Sequence, residues 1–373
     1  MEKEEKKVEY LELIYDLIFV YIIGRNNSLL HHVEGGFVST TTFLAYILCS
    51  LAIIQIWNFS TFYINMHGRN GLRDHIALVL NMYLLYYIGE GTRLHWETFH
   101  TQYHLAWALI LLNIGVQYAI ELRHHQGAAH EVRSIRNMMI VLFGQAVLVL
   151  LVIPVYHRTG LALSAVPIVF GVVLTRLLAD ESRAELIDFA HLSERAMLYV
   201  VFTFGEMIIA IASYFEGDFT WRSVYFSGMS FLIVVGLFLC YELLYDKIID
   251  RELRTTGIRY MFVHIFLIFA LNLMTTALEF MRDEAVALLP KTLFLIAAFA
   301  LYFGCLLALQ RFAKPRMKIT PRYMRFFLTM TAVFVALMVV LRGMMVPNIL
   351  LSVAYVFAVY FMLWRFSRQE EEK

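Results

Sequence analysis

Apolar residues run through this chain in long blocks, and short charged stretches separate them. LIVVGLFLCYELL (Leu232–Leu244) and TLFLIAAFALYFGCLLALQ (Thr292–Gln310) are two such blocks. Roughly 20 mostly apolar residues, wound as a helix, cross a hydrocarbon core of ~30 Å. By that measure the pattern predicts about twelve membrane-crossing helices. Their centres lie near Phe19, Ile53, Leu84, Leu109, Leu148, Val169, Val201, Val235, Ile268, Phe299, Val335 and Val356. Short alternating strands, the mark of a membrane β-barrel, are absent from the pattern. The expected class is an all-α, multi-pass membrane protein whose first partner is the lipid bilayer.

Composition agrees: 60% of the 373 residues are hydrophobic, against roughly half in soluble chains. The net charge is +1, with no basic tail to hold nucleic acid. The start, MEKEEKKVEY, is read as a charged arm, because no small-residue cleavage site precedes the apolar run. Cys49, Cys240 and Cys305 lie inside predicted helices without metal-ligand spacing, so they are expected to be apolar filler. Phosphate-cradling, dinucleotide, serine-hydrolase and zinc-protease motifs do not occur, so neither a cofactor nor a metal is expected.

Charge sets an orientation. With the N-terminus in the cytoplasm, one set of loops holds most of the cations, Lys6, Arg69, Arg73, Arg133, Arg136, Lys247, Arg251, Lys314, Arg322 and Arg325 among them. The opposite loops hold only Arg93, Arg158, Arg222, Arg282, Lys291 and Arg342. By the positive-inside rule both termini are cytoplasmic. Short loops leave no room for a sizeable soluble domain.

The chain also resembles itself. A shift of 189 residues places His75 on His264, Glu90 on Glu279, Gly115 on Gly304, Arg133 on Arg322, Arg136 on Arg325 and Arg176 on Arg365. A shift of 181 places LIFVYIIGR (Leu17–Arg25) on LYVVFTFGE (Leu198–Glu206). The difference implies about eight extra residues near the eighth helix, an ordinary loop event. The expected organisation is two six-helix repeats, residues 1–184 and 185–373, joined around Ala179–Asp188. An even helix count makes the repeats parallel, related by a pseudo-two-fold axis along the membrane normal, as recurs in secondary transporters. Duplication kept for packing alone is the plainer alternative.

Ionisable groups at membrane depth are costly and mark functional sites by default. An inner layer, nearer the cytoplasm, holds Glu12, Asp16, His191, Glu194, Arg195 and His264. Glu12 and Asp16 are four apart and share a helix face; His191 and Glu194 are three apart and are neighbours too. Such a cluster can bind a cation, relay protons or close as an ion-pair network. An outer layer holds Arg25, Glu90, Glu206, Asn272 and Glu279. Arg25 lies half a helix circumference round from Asp16, so it needs another partner. Its repeat equivalent, Glu206, would meet it near the pseudo-two-fold axis. Gln55, Trp57 and Asn58 form a polar-aromatic face, read chiefly as an interfacial anchor.

Two motifs carry a family resemblance. LELIYDLIFVYII, from Leu11, resembles the L-E-L-F-F-D-L-V-F-V opening of the low-temperature-requirement A (LtrA) family of bacterial membrane proteins. HLSERAMLYVVFTFGEMIIAI, from His191, is similar to that family's H-F-A-E-R…L-G-E-S segment, and His264 and Glu279 fit its pattern. Glu12, Asp16, His191, Glu194, Arg195 and Glu206 match by motif position, while Arg25 and Met207 depart from the family's usual residues. The resemblance implies a protein of the bacterial cytoplasmic (inner) membrane, named for a growth phenotype rather than a substrate. The leading expectation is a secondary transporter or permease for a small molecule or ion, coupled to protons or a cation. Asp16 and Glu194 would titrate, Arg195 would hold a carboxylate or anionic substrate, and His264 would relay protons. The rivals are a membrane-embedded enzyme or lipid-handling protein, with His191 and Glu194 as acid and base, and a non-catalytic membrane factor for cold growth.

Overall fold

A computed structural model describes residues 6–90, 96–124, 127–178, 184–212, 214 and 220–371. Arg93 and residues 179–183 of the expected junction lie outside the described residues. Twelve α-helices are present among those described: α1 Tyr10–Asn26, α2 Thr40–His67, α3 Leu72–Glu90, α4 Trp96–His124, α5 Ala129–Thr159, α6 Ala165–Leu177, α7 Phe189–Ala212, α8 Trp221–Leu243, α9 Ile258–Arg282, α10 Leu288–Leu309, α11 Pro321–Val340 and α12 Met345–Glu371. Each of the twelve expected centres falls inside one of them. Apolar periodicity and the cost of an unpaired backbone in lipid both demand helices here.

Nine of the helices among the described residues are long and apolar enough to cross a membrane. The other three are α1, α3 and α6. Charged side chains crowd the 17 residues of α1 and the 19 of α3, and α6 has only 13 residues. The chain is a helical, multi-pass membrane protein.

Packing divides the chain into two units that are discontinuous in sequence. The first comprises Met1–Leu30, Thr40–Leu198 and Glu252–Met261; the second comprises His31–Ser39, Tyr199–Arg251 and Phe262–Lys373. These are divisions by contact, different in kind from halves set by a repeat.

In the first unit α1 packs on α2 and α3, α3 on α4, α4 on α5, α5 on α6, and α2 on α6. Gly171 makes the last of these possible. A Cβ there would lie 2.5 Å from Gln55 Nε2 and would also overlap Gln145 Oε1. The freed space holds a buried amide ladder: Gln145 Nε2 donates to Gln55 Oε1 (2.7 Å), and Gln55 Nε2 donates to the Ile168 carbonyl (3.2 Å). Gly171→Ala is therefore expected to cost about 1–3 kcal/mol through overpacking. Thermal unfolding of the purified protein in detergent checks this; an unchanged midpoint would show that the ladder repacks freely.

In the second unit a short hairpin, β1 Val33–Glu34 and β2 Phe37–Val38, turns on Gly35 and Gly36. Both glycines have positive φ (62° and 90°), the geometry of a tight two-residue hairpin turn. The hairpin is anchored by Phe37, which meets Phe280 and Phe294 edge-on, and by the Ala287 N–H, which donates to the Gly36 carbonyl at 2.7 Å. α8 packs on α12 across Gly236, where a Cβ would sit 2.6 Å from Val356.

His31 sits beside this hairpin, with Nε2 2.8 Å from Glu279 Oε2. The Glu279 carboxylate raises the His31 pKa above its ordinary 6.5, outweighing burial, which lowers it. A raised folded pKa contributes stability that is complete below the unfolded value and is lost as pH rises through the folded one. The unfolding midpoint should thus fall as pH rises from the ordinary histidine range through the higher folded value, and His31→Gln should flatten that slope. Parallel pH profiles of the two proteins would refute the link.

Candidate functional site: a buried ion network

The site begins at a helix start. Asp188 precedes α7, and its Oδ1 accepts the His191 backbone N–H at 3.1 Å, the ordinary bond of an N-capping aspartate. His191 and Arg195, four residues apart, then share one face of α7. Glu12 and Asp16 share one face of α1 at the same spacing. The two faces meet. Arg195 Nη2 donates to Asp16 Oδ1 at 2.5 Å and its Nε to Asp16 Oδ2 at 3.4 Å. Its Nη1 lies 3.3 Å from Glu12 Oε2, and His191 Nε2 lies 3.5 Å from the same oxygen. All four side chains are buried.

α2 supplies the rest of the shell. The Trp57 indole N–H donates to Asp16 Oδ1 at 2.7 Å, so Asp16 is fully engaged. Asn65 Oδ1 accepts the Asp188 backbone N–H (3.2 Å), which turns its amide nitrogen toward the Asp188 carbonyl (2.8 Å) and His191 Nδ1 (3.0 Å). An amide N–H facing Nδ1 makes that nitrogen the acceptor. The ring proton therefore sits on Nε2 and points at Glu12.

Glu12 is the under-satisfied member. Its Oε2, with His191 Nε2 and Arg195 Nη1, is buried without a well-formed hydrogen bond; 3.3–3.5 Å contacts in such geometry are weak. Two carboxylates face a single guanidinium; Asp16 takes its short bond, and Glu12 is met by the longer contacts to Arg195 and His191 and by the charge of Lys6. Glu12 also lines an open cavity of about 750 Å³ with Lys6, Glu9, Arg69, Asp74 and His75. At the cavity wall the Lys6 ammonium caps the end of α2, donating to the carbonyls of Gly68 (2.8 Å), Asn65 (3.5 Å) and Ile64. Burial pushes the Lys6 pKa below the usual lysine value.

The bacterial low temperature requirement A protein (LtrA) family model matches residues 7–363. The chain belongs to the LtrA family. No curated protein matches it at a significant level. In this LtrA protein the two motifs that carry the resemblance, around Glu12–Asp16 and His191–Arg195, are the two that face each other across the buried network.

Other expected residues of this LtrA chain lie elsewhere. Glu194 is half-buried and forms no hydrogen bond or ion pair among the described residues. It directly precedes Arg195 and so lies about 100° round α7 from it, at the edge of the face that His191 and Arg195 share. His264 belongs to the second unit, where its Nε2 is 3.1 Å from the Tyr241 hydroxyl. In the outer layer Arg25 has Glu90 as its carboxylate, 3.8 Å away and half-exposed, whereas Glu206, the partner expected from the repeat, belongs to the second unit. Asn272 donates to its own helix, at the Ile268 carbonyl (2.9 Å), and Glu279 holds His31.

Sequence reasoning missed Trp57, Asn65, Asp188 and Lys6. Trp57 was visible on a polar-aromatic face but reads as an interfacial anchor, and Asp188 as part of a junction. The equal four-residue spacing of Glu12/Asp16 and His191/Arg195 was the available signal.

Proposed function

We propose that this LtrA protein is a secondary transporter or permease of the bacterial cytoplasmic membrane, coupled to protons or a cation, with Glu12 as the coupling group. The observation that carries the reading is charge. One buried arginine serves two buried carboxylates, and the more weakly held one borders a wide cavity. A proton or a monovalent cation at Glu12 Oε2 supplies the partner that this oxygen lacks, and the cavity gives it a path. Asp16, Arg195 and Trp57 form the fixed part of the site, since Asp16 is already saturated. Asn65 and His191 present a fixed N–H to the Glu12 carboxylate.

In this reading all twelve helices cross the membrane as two parallel six-helix repeats, with both termini cytoplasmic. The helix bounds support the repeat. Displacing α2, Thr40–His67, by 181 residues yields 221–248, the bounds of the long apolar span Trp221–Ile248. Packing pairs recur as well: α2 on α6 and α8 on α12, α4 on α5 and α10 on α11, α5 on α6 and α11 on α12.

The test is gradient-driven uptake. Purified protein in liposomes, given a pH or sodium gradient, is offered a metabolite and ion panel while a trapped dye reports internal pH. Accumulation of a solute that collapses with the gradient is the expected result. If no solute accumulates under either gradient while the vesicle lipids are chemically converted, the transport reading fails and the enzyme reading replaces it. The saturated Asp16–Arg195–Trp57 triangle favours a structural role for that part of the network, and a protein inert in both assays would extend that role to Glu12.

A further inference from the structure

At the charged ends of α11 and α12, in the second unit, lies a groove of about 500 Å³ lined by Arg322, Tyr323, Phe326, Phe361, Arg365 and Gln369. The two helices run in opposite directions, and each carries an arginine and a phenylalanine four residues apart. Arg322 stands in the first turn of α11 with Phe326 one turn further in. Phe361 stands one turn before Arg365 near the end of α12. Both arginines thus lie at the membrane-surface level, and both phenylalanines about 6 Å deeper. The Tyr323 hydroxyl donates to Gln369 Oε1 at 2.6 Å and ties the two helices together at the rim.

Neither Arg322 nor Arg365 has an ion-pair or hydrogen-bond partner among the described residues, and both are exposed. The side-chain carboxylate of Glu371, two residues beyond Gln369, is already taken by Lys247 at 3.0 Å. Phe326 and Phe361 are 59% and 58% exposed, so the floor of the groove is apolar and uncovered. α11 is the least buried of the nine apolar spans, with 17% of its most apolar window inside the protein, and so it faces lipid.

We infer that the α11–α12 groove is a binding site for an anionic phospholipid of the cytoplasmic leaflet, with Arg322 and Arg365 on the phosphate and Phe326 and Phe361 against the acyl chains. Charge complementarity selects this occupant. A basic pocket between helix ends recognises lipid phosphate, at about 1 kcal/mol per Lys or Arg. The site is distinct from the Glu12 network and does not rest on transport.

Native mass spectrometry and thermal unfolding of the delipidated protein test the inference. Phosphatidylglycerol should be retained and should raise the unfolding midpoint more than phosphatidylcholine does. The double variant Arg322→Gln/Arg365→Gln should weaken phosphatidylglycerol binding roughly thirty-fold, about five- to six-fold per arginine, and leave the phosphatidylcholine response unchanged. Both side chains are exposed, so the variant should fold; its unfolding midpoint without lipid verifies that, and Phe326→Ala, which keeps both charges, provides an independent arm that should weaken lipid retention. Equal responses to the two lipids, a full response to inorganic phosphate alone, or undiminished phosphatidylglycerol binding by the double variant would each overturn the inference.

Discussion

Arg195→Met should leave little folded protein in the membrane. The substitution removes the one cation that the buried Glu12 and Asp16 share. Breaking a buried pair from one side costs about 3–5 kcal/mol, because the remaining charge is neither hydrated nor matched. Here two charges remain. Native stabilities are themselves about 5–15 kcal/mol, so the loss takes a large share. Fluorescence-detected size exclusion of the detergent extract, with an unfolding curve for whatever survives, measures it. A second variant separates charge from packing. Arg195→Met with Asp16→Asn and Glu12→Gln removes all three charges together and should recover much of the lost midpoint. If the triple variant is no more stable than Arg195→Met, the stabilising element is the shape of the arginine and not its charge.

Glu12→Gln should do the opposite, keeping the fold and stopping the coupled movement. Glutamine has nearly the same volume and leaves Arg195 with Asp16 as its full counter-ion. The unfolding midpoint should therefore stay within about 1 kcal/mol equivalent of the native protein. Gradient-driven uptake, in contrast, should fall to the rate of empty liposomes, because an amide cannot take up or release a proton or balance a cation. Asp16→Asn provides the contrast. It breaks a buried, doubly bonded carboxylate, so its first effect should be on stability. If Glu12→Gln transports normally while Glu194→Gln does not, the coupling group is Glu194 and the assignment to Glu12 fails.

Much of this protein was legible along the chain. All twelve helix centres were readable from apolar runs, since a helix in lipid must be apolar over most of its length and that requirement is local. Both family motifs, and the face shared by Glu12 and Asp16, were readable for the same reason: four residues along one helix are always neighbours. Among the described residues nine apolar spans stand where twelve were expected, because α1 and α3 spend part of their length on charges and α6 is short. The residues that hold the network from outside, Trp57, Asn65, Asp188 and Lys6, were not legible as site residues. A tryptophan, an asparagine or a lysine near a membrane interface has many ordinary uses, and only the position of a neighbouring helix picks one.

Two assignments show where the boundary runs. The sequence alone required buried charge on α1 and α7 and put the chain in an all-helical membrane class, because composition and spacing act within one helix. It could not say that Arg195, rather than Glu194, turns toward α1, or that Asp16 is saturated while Glu12 is more weakly held at a cavity. Those depend on the rotation of α7 about its own axis and on which side chains of α2 lie opposite. Rotation is set by packing between helices far apart in sequence, so only the tertiary structure decided it.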